Sequence, residues 1–131
     1  MSLLTLQEYE KVAQNLTYDT KALIDGALVD SPSGNRFDSI SPGTGKVLTS
    51  VTSCNTEDVD RAVAAARAAF DSGIWSEMAP ADRKNILFRF ANLIEQNALE
   101  LAVMESLDSG KPICDTVEGD IPETVECFRF A

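Results

Sequence analysis

Histidine is absent from all 131 residues. Without it no Ser-His or Cys-His catalytic pair can form within this chain, and a zinc site built on Cys and His is ruled out in practice. Cysteine is scarce. Cys54, Cys114 and Cys127 are an odd number with no C-x-x-C spacing, which fits a reducing compartment better than a disulfide scaffold. Basic residues are outnumbered 11 to 21, for a net charge of −10. Such a surface repels nucleic acid and acidic membranes. No apolar run approaches the roughly 18–20 residues of a membrane span, and the opening "MSLLTLQEYEK" lacks a basic start followed by an apolar core. The reading is a cytoplasmic chain, with neither nucleic acid nor membrane as partner.

Nucleotide fingerprints are missing too. No G-x-G-x-x-G occurs. "SPGTGKVLTS" (41–50) has the look of a phosphate loop, which reads G-x-x-x-x-G-K-[ST]. Gly45 and Lys46 fit, but Ile40 stands where the first glycine belongs and Val47 where the hydroxyl belongs. Pro42-Gly43 and Thr44-Gly45 are instead turn dipeptides between two extended runs, which leaves Lys46 facing solvent.

What is present is ordinary in bulk: 44% apolar and 24% charged residues, enough for one domain with a modest core. Residues 5–16 carry apolar positions at helical spacing, with Leu6, Tyr9, Val12, Ala13 and Leu16 on one face. Four strand runs follow. "ALIDGALVD" folds about Asp25-Gly26, the pair favoured in two-residue hairpins. "SPSGN" makes a second turn, and "RFDSIS" and "KVLTSVTS" are the third and fourth strands, with Val47, Thr49 and Val51 sharing a face.

The period then changes. Residues 55–70 read as a helix capped by Asn55 or Thr56, with Glu57 and Asp58 at the positive end of its dipole. Val59, Ala62, Val63, Ala66, Ala69 and Phe70 form an apolar stripe rich in alanine, which predicts close packing on another element. Ser72-Gly73 ends it. A longer helix starts near Pro80, weakens at Gln96-Asn97, resumes through Leu99, Ala102, Val103 and Leu107, and stops at Gly110-Lys111-Pro112. In the last segment Gly119 predicts a break. Asp120 and Glu123 then spell a capping box, with Ile121, Val125 and Phe128 on one face. The pattern reaches Ala131 without a stop signal, which reads as an incomplete domain. The carboxylate pairs Glu57–Asp58 and Glu118–Asp120 have plain structural readings, Cys114 and Cys127 read as buried structural thiols, and Trp75 as a core or docking residue.

"EDVDRAVAAARAAF", "GIWSEM", "DRKNILFRFANLIEQNALELAVMESLDSGKP" and "DIPETVECFRFA", in this order and spacing, resemble the N-terminal part of NAD(P)-dependent aldehyde dehydrogenases. "LIDGALVD" and "ISPGTGKV" look like the family's first strands. "SGKPI" with the final string leans toward the subgroup acting on γ-glutamyl-γ-aminobutyraldehyde and related amino-aldehydes. The resemblance implies an α/β fold: the N-terminal part of the family's cofactor-binding domain, with short outer strands (21–53) followed by long helices (55–131), and with catalytic and oligomerisation domains absent. In the family a cysteine thiolate attacks the aldehyde, hydride passes to NAD or NADP, and a glutamate activates the water that hydrolyses the thioester.

Those groups fall outside the matched strings, so the resemblance implies no catalytic and no cofactor-binding residue here, and no activity or bound cofactor for this chain alone. It does imply one structural cation (Na+, K+ or Mg2+) held by the Ser39 and Ile40 carbonyls and by Asp108, since oxygen ligands suit a hard ion. The full-length enzymes are homo-oligomers acting on small aldehydes. An alternative is a non-catalytic interaction or regulatory module that associates with a dehydrogenase subunit through exposed apolar faces around Phe128 and Phe130.

Overall fold

A computed structural model describes residues 3–130 as a mixed α/β chain. The arrival of the pattern at Ala131 lies outside the described residues. The elements are α1 (Leu6–Asn15), β1 (Ala22–Ile24), β2 (Ala27–Val29), β3 (Arg36–Ile40), β4 (Val47–Thr52), α2 (Thr56–Asp71), α3 (Pro80–Gln96), α4 (Ala98–Ser109), the short α5 (Ile113–Asp115), a π-helical turn (Thr116–Asp120) and α6 (Ile121–Phe130). Among the described residues no helix is long and apolar enough to cross a membrane. The chain divides into two compact units. One joins residues 1–17, 40–46 and 80–131; the other joins 18–39 and 47–79.

The strand-rich unit starts from turn chemistry. Asp25 and Gly26 both take positive φ, 52° and 74°, as a type I′ turn requires, and β1 pairs antiparallel with β2. β3 and β4 form a second two-stranded sheet. Asn55 caps α2 in a reciprocal box: its side chain accepts from the Asp58 N–H at 3.1 Å, and its own N–H donates to Asp58 at 3.0 Å. The stripe along α2 departs from expectation. Only Ala62 of the six named residues is half-buried, as is Ala65 beside it. Val59, Val63 and Phe70 stay 56%, 61% and 62% exposed. Alanines give the close approach, but on a flank rotated from the large apolar side chains.

In the helical unit α1, α4 and the π-helical turn enclose a small core of Tyr9, Ala102, Val103 and Val117, ringed by Val12, Leu16, Leu99, Ile113 and others. Leu6, expected on the inner face of α1, is 73% exposed, and Leu4 ahead of the helix packs on the core instead. The long helix breaks at Asn97 as its sequence predicts, and Gly110 ends α4 at φ 77° with its N–H on the Ser106 carbonyl at 3.0 Å.

The predicted break at Gly119 does not occur, and Asp120 is not an N-cap. The backbone stays helical, and the Ile121 N–H reaches the Thr116 carbonyl five residues back. The wider turn lets two successive side chains face inward. The Thr116 hydroxyl donates to the Ala102 carbonyl at 3.0 Å, and Val117 joins the core. α6 then packs on α3. Phe128 meets Phe90 edge-to-face at 4.8 Å, and Arg129 donates to Glu95 at 2.6 Å and to Asn92 at 3.2 Å.

Candidate functional site

The turn "SPGTGK" is built by its own backbone. The Gly45 N–H donates to the Ser41 carbonyl at 2.8 Å, the Ser41 N–H donates to the Lys46 carbonyl at 2.9 Å, and Gly45 takes φ 68°. Ser41 is buried, and Lys46 is exposed, as its turn reading predicts. Pro42 stands against the end of α4: a Cβ on Gly110 would lie 2.8 Å from its Cγ. The turn and the helix end that carries Asp108 are therefore neighbours in the helical unit.

Of the three residues expected at a cation, Ile40 and Asp108 belong to this unit and are exposed. Ser39 is half-buried near the end of β3 and belongs to the strand-rich unit. Among the described residues no group of three or more His, Cys, Asp or Glu is placed to hold a metal, so any ion here would rest largely on carbonyl oxygens.

The end of α4 is tied down by its own hydroxyls. Ser106 donates to the Lys111 carbonyl at 2.7 Å, Ser109 donates to the Glu105 carbonyl at 2.7 Å, and the Lys111 N–H returns to Ser109 at 3.2 Å. The Lys111 ammonium then reaches Asp120 at 2.7 Å across the π-helical turn. The Asp120 hydrogen bond raises the lysine above its ordinary value, helped by the nearby charges of Glu105 and Asp115. This is the work Asp120 does in place of the expected cap. An open groove of about 540 Å³ runs beside it, lined by Leu101, Glu105, Lys111, Ile121 and Cys127 among others.

The strand-to-helix junction from β4 to α2 is where a dinucleotide phosphate would sit in a parallel α/β unit. Its chemistry is wrong for that. The Asp58 carboxylate is 1% exposed and fills the space at the N-terminus of α2. The Ser31 hydroxyl, the Asn55 N–H and Arg61 hold it below the ordinary carboxylate range. A fixed negative charge at the helix head, bonded to the Asn55 N–H, repels a phosphate. Among the described residues, the left-handed glycines sit in turns (Gly26, Gly34, Gly45, Gly73) and at the end of α4 (Gly110), none at this junction. This junction therefore does not fit a dinucleotide phosphate.

Beside this junction lies a second polar network. Asp30 receives Lys21 at 3.0 Å, Arg36 at 3.4 Å and the Thr52 hydroxyl at 3.2 Å, and is held below its ordinary range first by Lys21. Arg36 also donates to the Ser50 carbonyl. The sequence held no motif for this network, because its members come from four separate segments.

The cysteines depart from the expected burial. Cys54 and Cys127 are exposed, and Cys114 is half-buried. Phe130 is 96% exposed, whereas Phe128 is half-buried against Phe90, so the expected apolar patch at the end of α6 is reduced to its last ring. Trp75 is 44% exposed in the turn after α2.

Comparison with known proteins places these features. The profile of the aldehyde dehydrogenase family matches residues 28–131. The chain is 48% identical over 128 residues to the aminoacetaldehyde dehydrogenase of Pseudomonas aeruginosa, covering 98% of this chain and 26% of that enzyme. It superposes on the indole-3-acetaldehyde dehydrogenase of P. syringae, solved with NAD+ and IAA, at a TM-score of 0.94 and 48% identity, over 98% of this chain and 26% of that one. The γ-glutamyl-γ-aminobutyraldehyde dehydrogenase of Burkholderia cenocepacia matches at 0.94 and 43% identity, over 97% and 26%. The chain thus spans about a quarter of the length of these relatives.

Proposed function

The chain belongs to the aldehyde dehydrogenase family, and from that premise we propose that it is the N-terminal scaffold segment of a cofactor-binding domain. The whole enzyme oxidises an amino-aldehyde or a related small aldehyde to the acid, with NAD or NADP as acceptor, in the cytoplasm. The observation that carries the reading is the superposition over 98% of the chain on an enzyme solved with NAD+. The relatives named for aminoacetaldehyde and γ-glutamyl-γ-aminobutyraldehyde support the amino-aldehyde class.

In this reading the strands of 21–53 and the helices of 55–131 position other parts of the enzyme. They supply neither nucleophile nor cofactor contact. The carboxylate at the head of α2 and the scattered thiols support that division. Of the three expected ligands, the Ile40 carbonyl and the Asp108 carboxylate, both in the helical unit, hold one hard cation that braces the turn against the end of α4; the closeness of Pro42 to Gly110 supports that placement.

The test is a chimera. This chain replaces the matched quarter of the P. aeruginosa enzyme, and aldehyde-dependent NADH formation is followed. An active chimera is expected, while the 131-residue chain alone forms no NADH. A chimera that fails to fold, or turnover by the chain alone, would overturn the reading. For the cation, Asp108→Asn in the chimera should abolish any thermal stabilisation by Na+, K+ or Mg2+. Retention of that stabilisation would remove the ion from this position.

A further inference from the structure

We infer that the π-helical turn Thr116–Asp120 is a latched hinge: Asp120 serves either Lys111, as in the structure, or the head of α6 as its N-cap, and Gly119 is the joint between the two states.

Both states are written in one short string. "GDIPE" (119–123) carries a complete helix start of its own. Asp120 is an N-cap residue, Pro122 would stand in the first turn, where its missing N–H costs nothing, and Glu123 would hold the third position of a reciprocal box. The structure uses Asp120 differently. The residue lies inside a continuous helical backbone with its carboxylate on the Lys111 ammonium at 2.7 Å, and Glu123 is exposed.

The backbone ladder is thin at this joint. The Ile121 N–H reaches back five residues to the Thr116 carbonyl, and Pro122 beside it has no N–H to donate. Gly119 loosens it further. It takes no positive φ, and a Cβ built on it meets nothing within 4 Å. Neither its backbone angles nor a packed neighbour requires a glycine here, and glycine is a poor residue for a helix interior. Its conformational freedom is what a break before Asp120 needs.

Distant contacts hold the helical state. Thr116 is fully buried, with its hydroxyl on the Ala102 and Ile113 carbonyls at 3.0 and 3.1 Å, and Val117 lies in the core. The Lys111–Asp120 pair closes the turn from outside. Its side chains are 50% and 33% exposed, so the pair shifts an equilibrium by about fivefold at most. A capped helix start opposed by so few contacts makes a two-state element. Lys111, Asp120, Ile121 and Glu123 all line the open groove, so the hinge sets the shape of that groove.

Residue-resolved amide exchange of the 131-residue chain tests the hinge, with the Ile121 N–H as reporter and the Val103 N–H of the core as reference. Ile121 loses its bond to Thr116 in the capped state. Lys111→Met keeps the aliphatic stem and removes the charge; Ile121 exchange should rise by up to about fivefold relative to Val103. Gly119→Ala fits the space and favours helix, and should slow Ile121 by roughly fivefold. The deciding arm adds Asp120→Ala to Lys111→Met. With the latch already gone, the cap is the side-chain bond left to Asp120, so its removal should return Ile121 toward the parent rate.

A further rise in the double variant would make Asp120 a plain helix-stabilising residue and overturn the hinge. An unchanged Ile121 rate in Lys111→Met would do the same, as would equal acceleration at Val103, which would be a loss of stability of the whole core. Should the lysine variant fail to fold, Gly119→Ala decides alone: slower exchange at Ile121 supports the joint, and an unchanged or faster rate rejects it.

Discussion

In the helical unit the side chains taken out of water are mainly apolar: Tyr9, Ala91, Ala98, Ala102, Val103, Val117 and Val125. In the strand-rich unit the covered side chains are Ser31 and Asp58. The first unit is held by packing between helices, with two buried hydroxyl residues, Ser41 and Thr116, the latter donating to the Ala102 carbonyl. The second is held by directed bonds, through the Asn55–Asp58 box, the Ser31 hydroxyl and the group around Asp30, while Leu23, Phe37, Val63, Phe70 and Ile74 stay more than half exposed. A segment that buries little apolar area of its own gains little stability from packing.

The contrast predicts separable responses, because Trp75, the only tryptophan, reports on the strand-rich unit while helix content is carried mostly by the other. The largest effect should come from Tyr9→Ala. Emptying a covered aromatic site costs about 3–5 kcal/mol, and the phenol oxygen that accepts the Leu4 N–H is lost with it. Circular dichroism in urea should show early loss of helix, with Trp75 emission unmoved. A joint transition in both signals would mean that the units unfold as one.

Asp58→Asn should come next, and in the other unit. The Asp58 and Asp30 carboxylates are held below their ordinary range, so their stabilisation is fully present above that range. It is lost as pH falls through the depressed folded-state values. Trp75 emission should therefore respond to acid before the circular dichroism does, and Asp58→Asn should lower stability at neutral pH and flatten that acid limb. An acid response unaltered in the variant would assign it to other carboxylates.

The two helix caps offer a matched pair. Asn55→Ala and Thr5→Ala each remove a reciprocal box and should cost about 1 kcal/mol. The first should register in Trp75 emission and the second in the dichroism of α1; a reversal would undo the division. The smallest effect is expected from Val63→Lys in the 131-residue chain. A change at a 61% exposed position should stay within about 0.5 kcal/mol in a urea melt. A larger loss would mean that the stripe of α2 is packed after all.

Much of the local architecture was legible before any coordinates. Asp25-Gly26, Asn55, Asn97 and Gly110 each mark a turn, cap or stop by their own backbone chemistry, and the structure uses them so. The misreadings lie where a neighbour outweighed local preference. Gly119 and Asp120 spelled a helix break, but burying both Thr116 and Val117 kept the backbone helical through a wider turn. The stripe on α2 was seen correctly as apolar and wrongly as packed, since periodicity states which residues share a face and not what stands opposite. Near the expected cation ligands, the turn after Ile40 lies beside the end of α4, a closeness carried by Pro42 and Gly110 that no spacing rule contains.

The sequence by itself determined the order of elements, their caps and turns, and the chemistry excluded by the missing histidine and missing dinucleotide glycines. These depend on residues within a few positions of one another, or on residues that are not there. Tertiary structure alone decided that Asp58 fills the head of α2, that Asp120 answers Lys111, and that the aliphatic line of α2 faces outward. Each depends on which distant surface arrives at a given side chain, and so on packing, which a linear pattern does not encode.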